Sequence, residues 1–315
     1  MPGPVILLIL GLVGLWFGAE LTIRAALNIA EHYKLSHLFI GLTILALGTD
    51  LPELFIDTAG AIQRLAGVET SGLIVGETIG TCFAQIGLVL GIIGLFCTLT
   101  ITKRQLVRDG FMMVGSVVLL FLVGLDGKIS RVDGILFMVV YIFYFLSLFR
   151  EEKVREKIHR APKLHPFWAV FSLIVGFALL GYFSNMTVQN GVLVGQIWGI
   201  SQSLIGIVIL GLGTSLPELS VSIAAIRNGA TKMAVGNLIG SNIFDMLFTL
   251  GFASAISGFV INEALLNFDI PALLGMSLIV LFLFRTRMRL CKKEAIVLLL
   301  FFFAYIGFKL SGIQV

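Results

Sequence analysis

The chain has 315 residues, 58% of them hydrophobic and only 13% charged, with a net charge of +4 and a mean hydropathy of +1.03. A water-soluble domain is nearer one quarter charged, so a soluble protein of this size is excluded and the bilayer is the solvent these residues fit. The small net charge says little by itself, and no nucleic-acid partner is expected.

Met1-Pro2-Gly3-Pro4 lacks the basic segment of a signal peptide, so the apolar run behind it reads as a first spanning helix. A span takes roughly 20 apolar residues. Ten segments meet that length: 4–27, 36–63, 71–99, 106–125, 132–149, 166–187, 196–226, 231–260, 268–286 and 294–312. The long charged stretch Arg150 to Lys163 falls midway. It divides the chain into a first five-helix unit (1–149), a cytoplasmic charged linker (150–165) and a second five-helix unit (166–315).

The two units are related. Ser36 to Leu54 and Ser201 to Leu219 match at 12 of 19 positions with a constant offset, and Gly76-Glu77-Thr78-Ile79-Gly80-Thr81 is echoed by Gly236-Asn237-Leu238-Ile239-Gly240-Ser241. Two matches in the same order mark an internal duplication. Five spans per unit is odd, so the second unit enters the membrane inverted, an arrangement typical of secondary transporters. The side reached after spans 1, 3, 5, 7 and 9 holds all but Arg64, Lys128, Arg131 and Lys309 of the 22 Lys and Arg residues. That side is therefore cytoplasmic, and both termini are expected outside. The expected fold is all-α, with ten membrane helices in two inverted five-helix repeats.

Each repeat places a carboxylate within an apolar span: Glu53 in Gly48-Thr49-Asp50-Leu51-Pro52-Glu53, and Glu218 in Gly213-Thr214-Ser215-Leu216-Pro217-Glu218. Proline removes a backbone donor and glycine loosens the chain before it, so each helix should break there. Broken backbone at membrane depth is tolerated where it lines a cavity, and carbonyls near Ala46 and Gly211 become available as ligands. A lone carboxylate in hydrocarbon costs at least about 2.5 kcal/mol, so two at matched positions call for one explanation. Facing each other, they offer two negative charges and hard oxygen donors to calcium or sodium. Glu77, Thr81 and Gln85 share one helical face, and Asn237, Ser241 and Asp245 repeat that stripe. The glycines at 76, 80, 236 and 240 permit close helix approach.

These motifs resemble the alpha repeats of the cation/calcium antiporter superfamily, in particular the prokaryotic sodium/calcium exchangers. The resemblance covers nearly the whole chain. It implies that Glu53 and Glu218 ligand calcium and sodium, with hydroxyls from Thr49, Thr214, Ser215, Thr81 and Ser241. It further implies a mid-site polar pair, Gln85 and Asp245, and backbone carbonyls at Ala46 and Gly211. The first half departs from the family pattern by being more acidic. Asp50 stands where serine is usual, Glu77 where asparagine is usual, and Asp57 corresponds to Ser222. Asp50 adds a fourth carboxylate to the ligand set, and it either stays ionised and holds a further cation or carries a proton. Asp57 and Glu77 are expected in a vestibule or a helix contact.

The resulting expectation is a secondary antiporter exchanging sodium for calcium by alternating access at one shared midplane site. It would sit in the plasma membrane as a monomer, with lipid and the two ions as its partners. A proton/calcium exchanger and a potassium-dependent sodium/calcium exchanger are the near alternatives, and a cation channel is a remote one. No enzyme activity and no cofactor are expected. Cys82, Cys97 and Cys291 form no CxxC pair, the four histidines lack metal-ligand spacing, and no phosphate loop, HExxH or GxSxG motif occurs.

Overall fold

A computed structural model of the chain describes residues 3–32, 46–151, 166–227 and 231–311. Most of the predicted charged linker and the first part of the predicted span 36–63 lie outside the described residues. The chain runs as α1 (Gly3–His32), a short α2 (Ala46–Thr49), α3 (Leu51–Leu65), α4 (Ser71–Phe96), β1 (Leu99–Thr100), α5 (Lys103–Gly124), β2 (Lys128–Ile129) and α6 (Arg131–Glu151). It continues through α7 (Pro166–Trp198), α8 (202–214), α9 (Leu216–Arg227), α10 (Thr231–Ser257), β3 (Phe259–Val260), α11 (Leu265–Arg287), β4 (Arg289–Leu290) and α12 (Lys292–Leu310). Eight described helical runs are long and apolar enough to cross a membrane, and the protein is a multi-pass membrane protein. The nineteen-residue α12 has a polar first turn, Lys292-Lys293-Glu294, and an otherwise apolar body.

One boundary differs from the sequence expectation. The predicted gap between 187 and 196 does not exist: α7 continues unbroken for 33 residues to Trp198. The polar run Thr187–Asn190 reads as an interruption, but its side chains bond back into the helix. Thr187 Oγ1 donates to the Phe183 carbonyl at 2.8 Å, and Asn190 Nδ2 donates to that of Met186 at 2.7 Å. The helix ends instead near Gly199, whose φ of +64° is open to glycine at little steric cost.

Burial sorts the helices into layers. In their most apolar windows α4 is 78% and α10 72% buried, against 22% for α6 and α7, so α4 and α10 are central and α6 and α7 peripheral. Outward apolar side chains such as Phe17, Phe143, Ile174, Phe282 and Phe303 cover the peripheral faces, as a lipid-facing surface requires. Two small antiparallel ribbons join the units: β1 pairs with β4 through Leu99 and Leu290, and β2 pairs with β3 through Ile129 and Phe259. Exchanging the halves turns one ribbon into the other. Because α5 runs from β1 to β2, the two ribbons lie at opposite ends of the bundle.

The close crossing at the centre is between α4 and α8. A Cβ placed on Gly80 would come within 2.3 Å of the Ile207 carbonyl oxygen, and one on Gly206 within 2.2 Å of that of Leu73. Backbone-to-backbone contact of this kind excludes any side chain. Gly240 meets nothing within 4 Å among the described residues, and Gly236 meets only the tip of Gln105. The packing of α1 on α7 is also close, with Gly18 against Leu180 and Gly176 against Thr22.

Each half carries a buried carboxylate–tyrosine pair that the motif reading did not single out. Tyr144 donates to Asp109 at 3.0 Å beside Arg108, and Tyr305 donates to Asp269 at 2.8 Å beside Lys309. Asp109 and Asp269 are separated by the same 160 residues as Gln85 and Asp245. That shared offset is the sequence signal that would have revealed the pairs. They tie α5 to α6 and α11 to α12. Tyr305→Phe removes one hydrogen bond to a charged group, with an expected loss of about 1.5–3 kcal/mol. Thermal unfolding of the detergent-solubilised variant should show it as a lowered midpoint.

Candidate cation site

The helix breaks fall where the proline motifs predict. α2 stops at Thr49 and α3 starts at Leu51, with Asp50 at the joint; α8 stops at Thr214 and α9 starts at Leu216, with Ser215 at the joint. Pro52 and Pro217 sit at the second residue of the new helix, where a missing N–H costs nothing. Glu53 and Glu218 follow in the first turn, near the positive end of the helix dipole. The polar side chains near the joint in the second half bond to the preceding turn: Thr214 Oγ1 to the Leu210 carbonyl at 3.1 Å, and Ser215 Oγ to that of Gly211 at 2.7 Å. Ala46 opens α2, one turn before the joint.

Six carboxylates, Asp50, Glu53, Asp57, Glu77, Glu218 and Asp245, are each at most 1% exposed. Glu53 neighbours Glu218, Asp245, Glu77 and Asp50. Asp50 stands beside Ser241 and Glu218, and Thr49 stands beside Glu218. Among the described residues both oxygens of Glu53 are buried with no hydrogen-bond donor, and the buried Glu218 carboxyl has the Thr49 hydroxyl and the Asp50 carboxyl beside it. Among the described residues the ion pairs are Arg24–Glu20, Arg64–Glu69, Arg108–Asp109 and Lys309–Asp269, none involving these six. Negative charge is thus gathered with none of these ion pairs to balance it among the described residues.

The stripes on α4 and α10 meet face to face. Gln85 Nε2 donates to Asp245 Oδ2 at 2.8 Å, and Asn242 Nδ2 donates to the Cys82 carbonyl at 3.0 Å. Both contacts join positions 160 apart, which places them where the two halves meet. Thr81 Oγ1 lies 3.1 Å from Thr214 Oγ1, and both hydroxyls lie within hydrogen-bonding reach of Glu77 Oε1, at 3.2 and 3.1 Å. Glu77, expected in a vestibule or helix contact, therefore touches two of the predicted ligands. Asn242 is a further polar residue here that the ligand set omitted.

The sequence stripe was drawn on a regular helix, but α4 makes a π-helical turn over Ala84–Val89 and α10 one over Asp245–Thr249. Such turns shift side-chain direction by one residue and recur at functional sites. Gln85 and Asp245 both lie in them. Among the described residues no three carboxylate, imidazole or thiol side chains converge on a single point. A cation here would draw on carboxylates in pairs, with hydroxyls, amide oxygens and carbonyls completing its shell, a donor set that suits hard ions.

A family model described as sodium/calcium exchanger protein matches residues 3–150 and 168–311. The chain is 29% identical to the sodium/calcium exchanger MaX1 of Methanosarcina acetivorans, over 96% of this chain and 97% of that one. It is 31% identical to a putative antiporter, CaxA, of Alkalimonas amylolytica, over 95% and 96%. Among solved structures it is similar to the sodium-calcium exchanger NCX_Mj, at 26% identity and a TM-score of 0.65 over 99% of both chains. The fold of a proton/calcium exchanger, CAX, matches with a TM-score of 0.81 at 17% identity, over 98% of this chain and 87% of that one. With the family model spanning nearly its whole length, the chain belongs to the sodium/calcium exchanger family.

Proposed function

We propose that the protein is a secondary antiporter exchanging sodium for calcium across the plasma membrane, by alternating access at one site between Glu53 and Glu218. The observation that carries this reading is the pair of matched glutamates on broken helices, both fully buried with no basic partner among the described residues. Asp50, Asp245, Gln85, Thr49, Thr214, Ser215, Thr81 and Ser241, with the Ala46 and Gly211 carbonyls, complete the proposed ligand set. Ten spans in two inverted five-helix repeats position it, with a cytoplasmic linker at 150–165 and both termini outside. The mutually exchanging ribbons and carboxylate–tyrosine pairs support that layout.

Emptied of cations, the site leaves buried carboxylates uncompensated, which is costly. That cost opposes reorientation of the empty carrier and enforces exchange. α1 and α7 form the moving element. Leu12, Leu15 and Trp16 of α1 line a crevice with Pro52, Thr214 and Pro217, so a slide of α1 would cover or open the proline joints. Gln63 of α3 donates to the Asn185 side chain of α7 at 2.7 Å, a polar tether between the gate and the core. An exchange of three sodium ions for one calcium moves one net charge, and the membrane potential then contributes about 2.3 kcal/mol per 100 mV.

A proton/calcium exchange reading is favoured by one specific contact, the Asp50 carboxyl beside that of Glu218, which suits a shared proton as well as a shared cation. The experiment separating the two uses purified protein in sealed liposomes. Sodium-loaded vesicles diluted into sodium-free calcium buffer should take up calcium, and vesicles carrying only an outward proton gradient should not. Uptake with the proton gradient alone would transfer the coupling role to protons and make Asp50 the first carrier to examine.

A further inference from the structure

Asp57 and Glu77 stand apart from the four carboxylates of the proposed central site. Asp57 lies one turn beyond Glu53 on α3, and Glu77 one turn before Thr81 on α4, both displaced toward the 66–70 loop. Their carboxyl groups come within hydrogen-bonding reach of each other. Asp57 Oδ2 accepts from Thr78 Oγ1 at 3.3 Å, and Glu77 Oε1 lies within hydrogen-bonding reach of the Thr81 and Thr214 hydroxyls. The other oxygens, Asp57 Oδ1 and Glu77 Oε2, are buried and accept from no hydroxyl, amide or basic group among the described residues, and both residues are 0% exposed.

The duplication argues that packing does not demand these charges. Ser222 occupies the place of Asp57 in the second half, and Asn237 that of Glu77. The equivalent crossing is therefore built with a neutral pair, Ser222 and Asn237. Two carboxylates in contact, buried and with no basic neighbour among the described residues, are unfavourable unless something positive joins them.

We propose that Asp57 and Glu77, with the hydroxyls of Thr78, Thr81 and Thr214, form a second cation subsite beside the Glu53–Glu218 site, present on one face of the carrier only. This rests on the exchanger reading above and extends it. The donors are all oxygen and two are charged, so the ligand is a hard cation, calcium or sodium. Thr81 and Thr214 belong to both sites, so a cation in the subsite sits one hydroxyl pair away from the central position and can be handed on without crossing apolar surface. The second half has no equivalent, so cations arriving from the 66–70 side are captured before the central site and those from the opposite side are not.

The test is equilibrium binding of radioactive calcium, and separately of radioactive sodium, to the purified full-length protein in detergent. Asp57→Asn/Glu77→Gln should bind about one cation per chain fewer than the wild type in one of the two arms, and that arm identifies the ion. Should this variant aggregate, Asp57→Ser/Glu77→Asn copies the residues that the second half already accommodates. Unchanged binding of both ions by a folded variant of this pair would overturn the subsite. Glu53→Gln/Glu218→Gln is run alongside: undiminished calcium binding there would instead overturn the central-site reading, leaving the Asp57–Glu77 comparison valid on its own.

Discussion

Glutamine at position 53 or at position 218 is expected to reduce calcium exchange to background while the protein stays folded. The swap preserves shape and removes one formal charge. In the folded protein Glu53 and Glu218 are buried among other carboxylates, Glu53 with no donor among the described residues and Glu218 beside Thr49 and Asp50. Glutamine keeps a carbonyl oxygen that can still accept from a hydroxyl such as that of Thr49. Relief of like-charge repulsion should leave the thermal midpoint in cation-free buffer unchanged or raise it. Binding moves the other way. A charge-assisted contact contributes about 1.5–3 kcal/mol, so its loss lowers affinity by roughly tenfold to a hundredfold. Calcium uptake into proteoliposomes and thermal unfolding, measured on the same preparations, should therefore diverge. A variant that unfolds in parallel with its loss of uptake would assign these glutamates to stability instead.

Gly206→Ala should have the second large effect, and on both properties at once. An added Cβ would meet the Leu73 carbonyl oxygen at 2.2 Å, the Glu77 nitrogen at 2.6 Å and the Gly76 carbonyl carbon at 2.9 Å, all backbone atoms of α4. No side chain is available to rotate away, so the helices must separate. Overpacking of this kind costs about 1–3 kcal/mol. The same separation pulls Thr214 from Thr81 and Glu77, which stand 3.1 Å away. Loss of uptake with a lowered thermal midpoint is the expected result. Gly115→Ala serves as the comparison, since it lies on an exposed face of α5 with no described residue within 4 Å of its Cβ position.

The features legible in the sequence were those written in residue types that a membrane penalises. A buried glutamate beside a proline has few explanations in an apolar span, so Glu53, Glu218 and the helix joints could be placed from the chain alone. Membership of the sodium/calcium exchanger family followed from the same motifs. Features that depend on backbone detail were not legible. Nothing in Ala84–Val89 announces a π-helical turn, yet that turn sets the direction of Gln85. The polar stretch in α7 reads as a loop because composition does not show that each side chain bonds back to its own helix. Asp57 and Glu77 lie 20 residues apart on different helices, and only the crossing of α3 and α4 brings their carboxyl groups together. Asp109 and Asp269 could be read as ordinary helix-end charges until Tyr144 and Tyr305 were seen to bind them.

The central claim is one site that faces each side of the membrane in turn, and tracer counterflow tests it without regard to the coupling ion. Liposomes containing the protein would be loaded with unlabelled calcium, placed in a trace of radioactive calcium, and compared with calcium-free vesicles. Internal calcium should accelerate tracer entry, and the rate should saturate with external calcium. Tracer entry that is indifferent to internal calcium and rises linearly with concentration would describe a channel and contradict the account.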